Sequence, residues 1–194
     1  MPLLRIKRLA VLICVTSRIW AQAPSEAKKL VTLEKIEIHG SRFPEGALLH
    51  LSGLAVGEQV NDLIVTTACH KITSTGLVKS VDYAYDVYPD KPGVALILTL
   101  VDEKVTLPAK ITPATDEERI WRALQAAEPL LTRELPRTEK ALGFYSAHIE
   151  RVLKSLGRDN EYVAPSVTGD ANGAPTGIIF AIRSYKQTSA PRGQ

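Results

Sequence analysis

Apolar and polar positions alternate along this chain in a way that separates strands from helices. From Val31 to Ile38 the pattern is that of a strand, with Ile36 and Ile38 on one face, ended by His39-Gly40-Ser41. Pro44 and Glu45 open a short helix with Leu48, Leu49 and Leu51 on its apolar side and Gly53 as its stop. Gly57 marks a turn. Asn61 or Asp62 caps a second helix, which carries Ile64, Val65, Ala68, Cys69 and Ile72 at helical spacing and ends at Gly76. In Val81-Asp82-Tyr83-Ala84-Tyr85-Asp86-Val87 the large side chains share one face and Asp82, Ala84 and Asp86 the other, which predicts a half-buried strand. After a turn at Pro89–Gly93, the apolar run Val94 to Val101 predicts a central strand buried on both faces.

The same order returns after Asp102-Glu103-Lys104. Val105 to Ile111 reads as a strand that Pro108 confines to an edge or to irregular geometry. A helix follows from Thr115, with Ile120, Trp121, Leu124 and Ala127 at helical spacing, broken by Pro129 or Pro136. A longer helix over 138–156 places Leu142, Tyr145, Ile149, Val152, Leu153 and Leu156 inward and closes at Gly157. Strands at 162–167 and 178–182 flank a turn at 169–175. The fold class is α+β: two small β-α-α-β-β modules, 31–103 and 104–186, each a three-stranded mixed sheet with a helix pair on one face. Residues 187–194 read as a disordered tail.

The first 23 residues have a different character. Arg5, Lys7 and Arg8 precede the apolar stretch Leu9 to Val15, and Ala21-Gln22-Ala23 supplies the small residues that a signal peptidase requires. The expectation is a secretory signal cleaved after Ala23, with Ala21 and Ala23 as the recognition pair. The apolar stretch is far short of the ~20 residues that span a bilayer. Cleavage removes Arg5, Lys7, Arg8 and Arg18 and no acid, so the net charge falls from +3 to −1. A near-neutral chain has no electrostatic drive towards nucleic acid, and none is expected as a partner. Of the two cysteines only Cys69 remains, which excludes an internal disulfide and leaves stability to the apolar cores.

Three stretches carry a resemblance: Ile36-Glu37-Ile38-His39-Gly40-Ser41-Arg42-Phe43, then Leu54-Ala55-Val56-Gly57-Glu58-Gln59-Val60, then Thr75-Gly76-Leu77-Val78-Lys79-Ser80-Val81 with the paired strands after it. In this order they resemble the polypeptide-transport-associated (POTRA) domain, as found in the periplasmic part of Omp85/BamA-type assembly factors. The second half is similar to a more divergent unit of that kind. The resemblance implies a periplasmic module, associated with the outer membrane, that binds envelope proteins or unfolded outer-membrane proteins and works beside a barrel partner. It implies no cofactor, no metal and no enzymatic activity. It also implies a binding edge in the second strand, at Lys79, Val81, Asp82, Tyr83, Ala84, Tyr85, Asp86 and Val87, where an extended partner adds a strand by main-chain bonds.

Catalytic chemistry has little to stand on. His39, His50, His70 and His148 are scattered without metal-ligand spacing. Cys69 and His70 adjoin, but neighbours on a helix point about 100° apart and form no dyad. The alternative to a binding module is a ligand-binding or small hydrolytic envelope protein with a cleft in the second half, lined by Tyr145, His148 and acids. A further alternative is a structural piece of an envelope or division complex that keeps residues 1–23 as its anchor.

Overall fold

The computed structural model describes residues 30–185 apart from Lys91 and Ala114. The signal segment with Ala21 and Ala23, and the tail 187–194, lie outside the described residues. The chain runs β1 (Val31–His39), α1 (Glu45–Ser52), β2 (Gln59–Val60), α2 (Asp62–Ser74), β3 (Val78–Val87), β4 (Val94–Asp102), β5 (Thr106–Thr112), α3 (Glu117–Ala127), β6 (Glu134–Pro136), α4 (Glu139–Ser155), β7 (Glu161–Gly169) and β8 (Pro175–Ser184). These elements make two modules of like plan, each a mixed sheet with two helices. The strand orders are β2-β1-β4-β3 and β6-β5-β8-β7. In each, the first long strand lies parallel to the last and the two final strands form an antiparallel hairpin.

Each sheet therefore has four strands rather than three. The fourth is short in both cases. Gln59 and Val60 pair with Thr32 and Val31, while Glu134 to Pro136 pairs with Thr106 to Pro108. Two or three residues carry no periodicity, so only their long-range partners reveal them as strands.

The starts of α2 and α4 follow from capping chemistry. Asn61 Oδ1 accepts from Ile64 N at 3.0 Å, and Thr138 Oγ1 accepts from Ala141 N at 3.2 Å, each satisfying one of the N–H groups that a first turn leaves unpaired. The apolar stripes then cover the sheets. Leu48, Val65, Ala68 and Ile72 bury against Leu33, Ile36, Leu96, Leu98 and Leu100. Ile120, Trp121, Leu124, Tyr145, Ile149 and Leu153 bury with Ile111, Ile178 and Phe180.

Three sequence expectations change. Ile64 and Ala127, at helical spacing, are exposed, because each lies just beyond the arc that its helix presents to the sheet. β4 is central, as its apolar run suggests, yet it is not buried on both faces. Leu96, Leu98 and Leu100 point into the core, whereas Thr99 and Val101 are exposed on the face that carries no helix. Pro108 is tolerated inside β5 because pairing with β8 begins only at Ala109, which leaves that side of Pro108 free of the ladder.

Candidate protein-binding edge

The residues singled out in the sequence, Lys79 and Val81 to Val87, all fall on β3, the edge of the first sheet. β3 is ten residues long and pairs along its length with β4, with one register irregularity between Val78 and Ser80. Its other side faces no strand. An edge of this kind offers a row of unpaired N–H and C=O groups. The opposite edge of the sheet is the two-residue β2, too short to template a long pairing.

The two faces of β3 differ. Tyr83 pairs in register with the buried Leu98, and Tyr85 with the buried Leu96, so both phenols lie on the helix side and are half-buried. Their rings meet edge to face, with centroids 5.8 Å apart. The Tyr83 and Thr66 hydroxyls lie 3.4 Å apart, tying the edge to α2. Burial pushes the Tyr85 phenol up to about 12, with the Asp62 carboxylate at the start of α2 adding to the rise. Asp82, Ala84 and Asp86 occupy the open face and are exposed.

The corresponding edge of the second sheet, β7, is closed by its own residues. Val163 N–H donates to Glu150 Oε1 of α4 at 3.0 Å, so it leaves the ladder. Two residues further on the same side is Pro165, which has no N–H to offer. Two residues before, Glu161 N–H donates to the Arg158 carbonyl at 3.3 Å. Captured N–H groups and a proline both blunt an edge, and among the described residues β3 shows neither; its own protections are the irregularity between Val78 and Ser80 and the charges of Lys79, Asp82 and Asp86. Pro165 within a predicted strand was the available signal for this. Glu150 was not, because its role depends on α4 lying over β7.

The cleft expected in the second half does not assemble. Tyr145 is fully buried, stacked on Phe180 at 5.9 Å and accepting from Thr132 N–H at 2.9 Å. His148 instead lines an open cleft between the modules with His50, Glu128 and Arg151. Its ring is already engaged: Nδ1 lies 2.9 Å from the Phe144 carbonyl, and Nε2 accepts from Arg151 Nη1 at 3.2 Å. Glu128 is buried, with Oε1 accepting from Leu130 N–H at 3.3 Å. His39 pairs with Glu37, and His70 is exposed. Cys69 is buried, and loss of solvation pushes its thiol up, away from the reactive thiolate. Among the described residues no three His, Cys, Asp or Glu side chains are placed to share a metal, and no helix is long and apolar enough to cross a membrane.

No protein-family model and no curated protein matches the chain. Solved structures similar to it include the N-terminal domain of Omp85 from Thermosynechococcus elongatus, at 17% identity and a TM-score of 0.40, covering 80% of this chain and 63% of that one. Another is POTRA1-2 of the periplasmic domain of Omp85 from Anabaena, at 13% identity and 0.40, covering 81% and 98%. BamA POTRA3-5 from Haemophilus influenzae is similar at 14% identity and 0.37, covering 81% and 67%. The chain thus spans less than two thirds of the first of these.

Proposed function

We propose that this chain is a non-enzymatic protein-binding module of the periplasm, in outer-membrane protein assembly or secretion. It takes up an extended segment of an envelope protein or unfolded outer-membrane protein as a fifth strand beside β3. The observation that carries this reading is the contrast between edges: β3 is long, paired on one side only and has no captured N–H and no proline among the described residues, whereas on β7 Glu150 and the Arg158 carbonyl capture two N–H groups and Pro165 lacks one. The ordered sequence pieces over 31–103 support the same reading. Four or five main-chain bonds at roughly 1 kcal/mol each give weak, reversible capture, on the order of 0.1 to 1 mM, as suits a client that must move on. In this scheme a separate outer-membrane barrel is the partner that receives the client.

The test is position-specific crosslinking in the native envelope. A photoreactive side chain at Ala84 on β3 is expected to give partner adducts, and the same side chain at Ser166 on β7 is not. Equal adducts at the two positions, or none at Ala84, would overturn the reading.

A further inference from the structure

We propose that the segment taken up at β3 carries two basic side chains four residues apart; the inference rests on β3 being the binding edge. In a sheet, directly opposite residues share a face, with Cβ atoms about 5 Å apart. An added strand therefore sets one residue beside Asp82 and another beside Asp86. Those two residues are four apart and on the same face, whichever way the strand runs.

The acids have no cation on the side already occupied. Their register partners on β4 are Thr99 for Asp82 and Ala95 for Asp86. Beyond β4, the row on β1 that is aligned with Ala95, Ile97 and Thr99 is Lys35, Glu37 and His39. That row is satisfied within itself, with Lys35 Nζ 2.7 Å and His39 Nε2 3.2 Å from the Glu37 carboxylate. Among the described residues no cation pairs with Asp82 or Asp86. The free cross-strand position of both carboxylates is thus the open edge itself. Ala84 stands between them, small and opposite the half-buried Ile97, so the middle residue of the incoming segment meets an apolar spot. On the helix side the two intervening residues lie beside Tyr83 and Tyr85, which favour apolar neighbours.

The recognised pattern is therefore basic, apolar, apolar, apolar, basic. A second copy of this chain fits poorly: antiparallel self-pairing centred on Asp82 or on Ala84 sets Asp against Asp, which disfavours it.

The test uses three labelled synthetic peptides, titrated against the purified protein by fluorescence anisotropy at low ionic strength. One carries Lys at i and i+4 with Val-Val-Val between, one carries Glu at both places, and one carries Lys at i and i+3 so that the charges split between faces. The i, i+4 Lys peptide is expected to bind about tenfold more tightly than the Glu peptide, with the i, i+3 peptide between them. The preference is expected to shrink in high salt and to invert in the double variant Asp82→Lys/Asp86→Lys, with circular dichroism confirming its fold. Should that variant not fold, the ranking of the three peptides on the unaltered protein still decides. Equal binding of all three peptides overturns the charge pattern and leaves the edge reading standing. Failure of every peptide to bind overturns the edge reading, and this inference with it.

Discussion

The Thr138 hydroxyl donates to the Gly76 carbonyl at 3.1 Å while its oxygen accepts from Ala141 N–H at 3.2 Å. One side chain therefore caps α4 of the second module and ties that cap to the end of α2 in the first, 62 residues away. Gly76 makes the approach feasible. Its φ is +68°, and a Cβ there would stand 2.5 Å from Ala141 N and 2.6 Å from Thr138 Oγ1. The residue that lets the chain leave α2 in the left-handed region is also the one that lets the modules touch.

Gly76→Ala is accordingly expected to cost about 2 to 4 kcal/mol, combining the left-handed backbone with overpacking against α4. Thr138→Ala should cost about 1 to 2 kcal/mol and Thr138→Ser almost nothing, since the serine keeps the hydroxyl. Urea unfolding of the three variants checks the order; a harmless Gly76→Ala would mean that the modules do not meet there.

Opening β7 should create a second edge. Glu150→Ala frees the Val163 N–H from its carboxylate, and Pro165→Val restores a donor two residues on. The double variant is expected to self-associate or to bind twice as much extended peptide as the parent. Sedimentation velocity and binding stoichiometry read this directly.

The Tyr85 phenol gives the edge its own titration. Its pKa is pushed up from 10.0 to about 12 by burial. The unfolded chain thus ionises this group before the folded one does. Its contribution is fully present below pH 10 and is lost as pH rises from about 10 to about 12. Near-ultraviolet absorbance should show a late tyrosine component, to which the buried Tyr145 also contributes, and Tyr85→Phe should reduce that component by one tyrosine.

The Cys69 thiol should resist alkylation in the folded protein, because it is buried and its pKa is raised. In a Cys14→Ser background, maleimide labelling is expected to track unfolding through a urea series. Fast labelling without denaturant would revive a reactive role.

Much of the fold was legible because local patterns report which side of an element is wet. The alternation through Val81 to Val87 separated Tyr83 and Tyr85 from Asp82 and Asp86, and both pairs lie on the faces so assigned. Asn61 and Gly76 marked the two ends of α2 for reasons internal to the helix. β2 and β6 were not legible, since two or three residues become strands only through partners far along the chain. The hydrophobic run of β4 over-reported burial: it marks a central strand, but the face without helices leaves Thr99 and Val101 in solvent.

By itself, then, the sequence determined the order of the helices and long strands, the two faces of β3, the ends of α2 and the near-neutral charge left when residues 1–23 are set aside, all properties of short stretches of chain. The tertiary structure decided that β3 is an open edge and β7 a closed one, that Tyr145 is core rather than cleft, and that Thr138 reaches Gly76. Each of these depends on which segments come to lie side by side. Neighbours that are distant in sequence leave no local periodicity, so their juxtaposition is written only in the packed fold.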